Sequence, residues 1–359
     1  GRSGYDLCLA AGEMIDDTRR LLTRFFNGTD SNRLIFSYNA TDALNLAIFG
    51  TLKEGDHAIT TTIEHNSVLR PLYHLSLYNK VEVDHIAFDE RGFVHPDDFV
   101  KKMKKNTRLV AVNHGSNVIG TVQPIKEIGR LCAERGIPFL VDSSQTAGKI
   151  PVDMKEMNID IIAFTGHKSL MGPMGTGGLY VREGIEIRHT RAGGTGVRSA
   201  LRTHLDEYPY RLEYGTGNLP GIAGLNAGVK WIESRGMENI HGLETDLLKT
   251  LRDGLQAIDG VTLYCQDNLE QHIGVLTFNI DGLEAGNTGT MLDVEYNIAS
   301  RTGLHCAPLV HEQLGIDKIH GGVRFGIGPF NTREDIETAI MAVGEIAAGQ
   351  KKKQRKMGT

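Results

Sequence analysis

The sequence predicts an α/β protein: a large domain with a mostly parallel sheet covered by helices, then a smaller α+β C-terminal domain. Three observations carry this expectation. Short apolar, β-branched runs alternate with helical patterns through the first part of the chain. Those runs are apolar nearly throughout, as strands buried on both faces require. After about Gly221 the texture changes to long amphipathic helices and two separate strands. The expected division is therefore 1–220, 221–349 and a solvated, mobile basic tail at 350–359.

The elements follow in order. "RLIFSY" reads as a strand and "ATDALNLAIFGTL" as the helix after it. "DHAITTTI" is a strand, followed by the helix "HNSVLRPLYHLSLYN". "VEVDHIAF" is a strand and Pro96 to Lys105 a polar helix. "TRLVAVNH" precedes the helix "PIKEIGRLCAERG", and "IPFLVD" precedes a short turn. "IDIIAFTG" and "GGLYVRE" close the series. In the second part, "IAGLNAGVKWIESRG" and "HGLETDLLKTLRDGLQAIDG" read as amphipathic helices. "HIGVLTFNIDG" and "GGVRFGIGPF" read as strands, and "TREDIETAIMAVGEIAAG" as a final helix capped by Thr332.

Composition narrows the function classes. The 359 residues are 40% hydrophobic and 23% charged, enough for about two globular domains. The formal charge of -5 gives no electrostatic footprint for nucleic acid. No apolar run reaches the length of a membrane span, and no signal peptide is visible. Cys8, Cys132, Cys265 and Cys306 lie far apart without metal-type spacing, so no metal site is expected. So few cysteines form no disulfide framework, which points to a reducing, cytoplasmic setting. The chain opens with "GRSGYD" rather than methionine, so a further N-terminal piece is expected to precede it.

In open α/β sheets, ligands bind at the carboxyl ends of the strands. The residues following the predicted strands are Asn39, Ala40 and Thr41; His65; His114 and Asn117; Asp142 and Gln145; and Thr165, His167 and Lys168. Singly, a helix cap or a surface histidine explains each better than function does. Five loops supplying polar and ionisable groups to one edge are a different matter.

The helix start at Ala40 and Thr41 offers backbone N–H groups to an anion, and Thr165 and His167 can add hydrogen bonds. Asp142 at a strand end suits a protonated ring nitrogen, and His65 can stack on a planar ring. Lys168 suits a Schiff base, because burial beside cationic groups favours its neutral amine. Phosphate, ring nitrogen and aldehyde are the three handles of pyridoxal 5'-phosphate. No GxxxxGK[ST] or GxGxxG motif stands where a nucleotide site would need it. The glycines of "FTGHKSLMGPMGTGG" let the chain turn sharply after the strand and pack close to a bulky cofactor.

These blocks, with "EHNS", "NHGSNVIGTVQPI", "VDSSQTAG", "EYGTGN", "RTGLHCAP" and "VRFGIGPFNT", resemble the cysteine desulfurases and selenocysteine lyases. These form part of the class V branch of fold-type I pyridoxal-phosphate enzymes. The resemblance covers nearly the whole chain. It implies that Lys168 holds the cofactor, Asp142 pairs with the ring nitrogen and Gln145 with the ring hydroxyl. His65 would stack on the ring and assist proton transfers. Ala40, Thr41, Thr165 and His167 would hold the phosphate. Thr216 would reach the phosphate of a partner subunit, implying a homodimer with shared sites. Asn117 and Arg324 would bind the substrate carboxylate, with Arg301 a further substrate-side candidate.

Cys306 differs from the other three cysteines. It lies between Gly303 and Pro308, with His305 before it and Arg301 nearby, and cationic neighbours favour a thiolate. The resemblance implies that L-cysteine becomes L-alanine, with a persulfide formed on Cys306 and passed to an acceptor such as the iron–sulfur assembly route. The short "RTGLHCAP" loop is SufS-like, which implies dependence on an acceptor protein. Two departures stand out: the family's usual opening segment "YLDNAATS" is absent, and "EHNS" replaces the commoner "EHHAN". Selenocysteine lyase, another class V aminotransferase or lyase, and a non-catalytic binding protein of this fold are the alternatives.

Overall fold

The computed structural model describes residues 4–265 and 269–357, with side chains through Arg355. The expectation of a preceding segment concerns an end, Gly1 to Ser3, that lies outside the described residues. The large domain runs α1 (Asp6–Phe25), β1 (Leu34–Ser37), α2 (Ala40–Thr51), β2 (His57–Thr61), α3 (Asn66–Asn79), β3 (Glu82–Ile86), α4 (Pro96–Lys102), β4 (Thr107–Asn113), α5 (Ile125–Glu134), β5 (Phe139–Asp142), β6 (Ile161–Thr165), β7 (Gly177–Val181) and α6 (Leu219–Arg235). There follow α7 (Met237–Gln256), β8 (Val261–Leu263), β9 (Val275–Ile280), α8 (Ala285–Tyr296), β10 (Arg301–Gly303), α9 (Pro308–Leu314), β11 (Gly322–Gly326) and α10 (Arg333–Met357).

Seven strands form the large sheet in the order β1-β7-β6-β5-β4-β2-β3. The pairs β2–β3, β2–β4, β4–β5 and β5–β6 are parallel. β7 runs antiparallel to both neighbours, because the chain returns from β6 through a turn and not through a crossover helix. Both faces of this sheet are buried, which explains the unbroken apolar runs. On β4, Val110 and Val112 pack into one core with Phe139, Val141 and Phe164. Leu109 and Ala111 pack into the other, beneath α2 and α3. Phe164 meets Phe26 with ring centroids 5.3 Å apart. Burying one such ring contributes about 1.5–3 kcal/mol.

The smaller sheet is antiparallel throughout, in the order β10-β11-β9-β8. Its core joins Leu276 and Phe278 of β9 to Leu251 of α7 and Val343 of α10. The expected division at residue 220 falls in the first turn of α6, and the cores are shared out along the helices that follow. Leu225, Val229 and Ile232 of α6 belong to the large core. Along α7, Ile240 still packs there, while Leu247, Leu251 and Leu255 enter the smaller core. The seam therefore crosses α7. On that seam, Lys149 Nζ donates to Glu244 Oε2 at 2.5 Å and to the Ile327 carbonyl at 2.9 Å, all three buried.

The basic tail expected at 350–359 begins within the last helix. Its described part is helical, because α10 continues to Met357. Gln350 Nε2 donates to the Gly282 carbonyl at 2.7 Å, and Lys351 pairs with Asp259. Thr332 caps this helix as expected, with Asp335 N donating to its hydroxyl at 3.2 Å and Asp335 accepting from Thr332 N at 2.8 Å. Among the described residues, no helix is long and apolar enough to cross a membrane.

Candidate active site

A cleft of about 290 Å³ opens at the carboxyl ends of β1, β2, β4, β5 and β6. Ala40, Thr41, His65, Asn117, Asp142, Gln145, Thr165, His167, Lys168 and Arg301 line it, so ten of the thirteen residues singled out from sequence are brought together. Arg301 arrives from β10 of the smaller sheet. Ser67, Asn113 and Ser144 complete the lining together with Asn39, which follows β1 as expected; none of the four was given a role from sequence. Their signal was weak: Asn39 reads as a cap and Ser67 as an ordinary first-turn residue.

Local chemistry fixes each position. Asn39 caps α2 by accepting from Asp42 N at 3.0 Å, leaving the first N–H groups of α2 facing the cleft region. Gly177 lies close behind: a Cβ there would come within 2.7 Å of Asn39 Cα, so only glycine lets β7 pass the cap. Of the glycines after Lys168, Gly177 is the one packed against the start of α2. Thr41 Oγ1 lies 2.7 Å from Ser67 Oγ, and Thr165 Oγ1 lies 3.0 Å from His167 Nδ1.

His65 caps α3. Its Nδ1 accepts from Ser67 N at 3.0 Å and lies 2.8 Å from Ser67 Oγ. Burial lowers its pKa, opposed by Asp142 and aided by Lys168. The neutral ring with an accepting Nδ1 carries its proton on Nε2. Burial also lowers the Lys168 pKa; Arg324 and Arg301 push the same way and Asp142 opposes them. The neutral amine is favoured, as covalent chemistry requires.

Asp142 is buried and is the sole carboxylate among the lining residues. Ser144 donates to its Oδ1 from both backbone N, at 2.9 Å, and hydroxyl. Two neighbours stand behind this layer. His114 is fully enclosed, with its pKa pushed down to about 4 by burial, and its N donates to the Asp142 carbonyl at 3.0 Å. Glu64 is also enclosed and its carboxyl is pushed up to about 8 by burial. Its Oε1 accepts from Thr61 Oγ1 at 2.7 Å and Asn113 N at 2.9 Å.

The remaining three predicted residues do not line the cleft. Arg324, on β11, donates to the Asn117 carbonyl at 2.7 Å; burial and Arg301 lower its pKa to about 10, so it stays charged. Cys306 is partly buried, and Arg301 Nη2 lies 3.2 Å from its Sγ. Thr216 lies exposed in the segment before α6.

The donor set fits pyridoxal phosphate. One end offers N–H groups, hydroxyls and an imidazole without a carboxylate, and the floor holds a buried carboxylate beside a lysine amine whose charged form burial disfavours. Asn117 Oδ1 is a buried acceptor with no partner, turned to no other group of the protein among the described residues. Such an atom is costly unless a ligand meets it.

The aminotransferase class-V family matches residues 1–338, and the chain belongs to that family. Enzymes of this class depend on pyridoxal phosphate. A probable cysteine desulfurase of Pyrococcus abyssi is 33% identical over 98% of this chain and 88% of its own length. A cysteine desulfurase of Salmonella agona is 30% identical over 96% of this chain and 85% of its own length. The apo structure of a cysteine desulfurase from Thermococcus onnurineus NA1 superimposes with a TM-score of 0.87, at 33% identity, over 97% of this chain and 87% of that one.

Proposed function

We propose that this protein is a pyridoxal-phosphate-dependent cysteine desulfurase that moves sulfur from L-cysteine to Cys306. The observation that carries the reading is the contact of Arg301 Nη2 with Cys306 Sγ at 3.2 Å, made by an arginine that also lines the cleft of Lys168 and Asp142. An aminotransferase or a hydrolytic lyase has no use for a thiol held there.

The bound cofactor supplies an electron-withdrawing pyridinium ring next to the substrate's α-carbon. Lys168 would hold it covalently, Asp142 would keep its ring nitrogen protonated and Gln145 would meet the ring hydroxyl. The α2 N–H groups at Ala40 and Thr41, with Thr165 and His167, would bind its phosphate. Thr216 would reach the phosphate across a homodimer; the exposed apolar Tyr38, Met174, Val197 and Leu201 support such an interface. Arg324 would hold the substrate carboxylate, joined by Asn117 through the Nδ2 hydrogen left over by its bond to the His305 carbonyl. His65, packed over the same cleft, would move protons through Nε2.

Cys306 attacks the substrate's sulfur. The S–S bond forms as the Cβ–S bond breaks, and the carbon fragment gains the proton that makes it alanine. The balance is L-cysteine plus Cys306 thiol giving L-alanine plus Cys306 persulfide. External thiols, or an acceptor protein of the iron–sulfur assembly route, then remove the outer sulfur. The free thiols of Cys132 and Cys306 support a reducing, cytoplasmic setting. The short cysteine loop supports a SufS-like, acceptor-dependent enzyme.

The test is incubation of the loaded protein with L-cysteine and a thiol reductant, measuring alanine and sulfide together. Equal yields, lost in Lys168→Ala and Cys306→Ala, are expected. Full turnover in Cys306→Ala would overturn the persulfide route. Release of selenide from selenocysteine with no sulfide from cysteine would make the protein a selenocysteine lyase.

A further inference from the structure

The loop that carries Cys306 has an uncommon backbone. His305 and Cys306 have φ of 48° and 61°, two successive non-glycine residues in the left-handed region, after Gly303 at 96°. Side chains disfavour this region, so each such residue persists only where its surroundings hold it. Two hydrogen bonds do so here. Asn66 N donates to the Cys306 carbonyl at 2.7 Å, and Asn117 Nδ2 donates to the His305 carbonyl at 2.7 Å.

Both donors belong to the large domain. Asn66 begins α3 and directly follows His65, the helix cap that faces the cleft. Its N–H is one of the helix-start donors that need an outside acceptor, and the Cys306 carbonyl supplies it. Asn117 is itself held, since its carbonyl accepts from Arg324, and the neighbouring Val118 carbonyl accepts from Thr277 Oγ1 at 2.5 Å. On the far side the His305 ring is buried against His311, with centroids 5.3 Å apart. The loop is thus gripped at its two carbonyls from one side and by its histidine from the other.

We propose that Asn66, through its backbone N–H, and Asn117, through its side-chain amide, are positioning residues that clamp the Cys306 loop. The clamp keeps the thiol beside Arg301 and restrains its encounter with thiols and electrophiles from outside. This inference rests on the reading of Cys306 as sulfur carrier for its significance, but the clamp itself is measured without turnover.

Asn66 offers a clean perturbation. It occupies the first helical position, where proline is well accepted, and His65 before it is extended at ψ 153°, as a residue preceding proline should be. Asn66→Pro therefore deletes the donor and little else; Asn66→Ala keeps it. The experiment is alkylation of the cofactor-loaded protein by iodoacetamide, with each cysteine followed by peptide mass spectrometry. Asn66→Pro and Asn117→Asp should each speed alkylation of Cys306 by about tenfold, while Asn66→Ala matches wild type. Buried Cys132 reports whether the fold is intact. In Asn66→Pro, kcat should fall with KM for L-cysteine unchanged, a split that general loosening would not give. Wild-type alkylation rates in both donor variants, with Cys132 protected, would overturn the clamp. Faster alkylation in a protein that releases no sulfide would leave the clamp standing and remove the sulfur-carrier reading alone.

Discussion

Replacing Glu64 by glutamine should flatten the dependence of stability on pH between about 5 and 8. Glu64 is wholly enclosed, with both hydrogen bonds on Oε1 and none on Oε2. Burial, with a smaller push from Asp142, raises its carboxyl from 4.5 to about 8. The sign follows from proton counting. Below pH 4.5 the carboxyl is protonated in both folded and unfolded chains. Above it the unfolded chain releases the proton and the folded one keeps it, so stability falls as pH rises, until the folded group titrates near pH 8. Raising the carboxyl from 4.5 to about 8 is worth roughly 5 kcal/mol. Relaxation around a forming carboxylate trims this to a few kcal/mol. Glutamine has the same shape and cannot titrate. Urea unfolding of both cofactor-free proteins at pH 5, 6, 7 and 8 gives the difference directly. The wild type should lose ground to Glu64→Gln by a few kcal/mol across that range. A difference that stays constant with pH would show that Glu64 is ionised in the folded protein, and the reasoning would fail.

Other changes have separate outcomes. Lys149→Met should cost about 3–5 kcal/mol in chemical denaturation, because Glu244 is left buried without its cation; adding Glu244→Leu should recover most of it. Arg324→Lys should raise KM for L-cysteine roughly tenfold to a hundredfold, since an ammonium cannot grip a carboxylate in two places; steady-state kinetics decide, and an unchanged KM would remove Arg324 from substrate binding. Gly177→Ala should weaken cofactor retention, measured by fluorescence titration, and cost about 1–3 kcal/mol, because the new Cβ meets Asn39 at the start of α2.

What the sequence revealed and what it hid have physical reasons. The inner strands of the large sheet were legible because both of their faces are buried, which leaves a continuous apolar run; edge strand β3 alternates with charged residues instead. Most site residues were legible because they directly follow those strands. α1 went unread although its apolar and polar faces are separated as clearly as those of α7; its first turns expose Leu7 and Leu9, and its buried face includes Thr18, Arg19 and Thr23. α8 carries few buried residues, and β8 and β10 are three-residue strands defined by their partners and not by their own pattern. The lysine-rich end read as a mobile tail because charge alone does not reveal acceptors such as the Gly282 carbonyl. The Asn66 and Ser144 contacts were hidden for a related cause: they depend on backbone groups and on neighbours that only tertiary structure supplies.

The ion pair between Lys149 and Glu244 has a consequence for how the molecule comes apart. It lies where the two cores meet, and separating them would strand a cation on one side and an anion on the other, each having lost its partner. Neither sheet can therefore melt and leave its neighbour intact without that penalty. Heating should produce one calorimetric transition for the whole chain, with the two cores unfolding as a single thermodynamic unit.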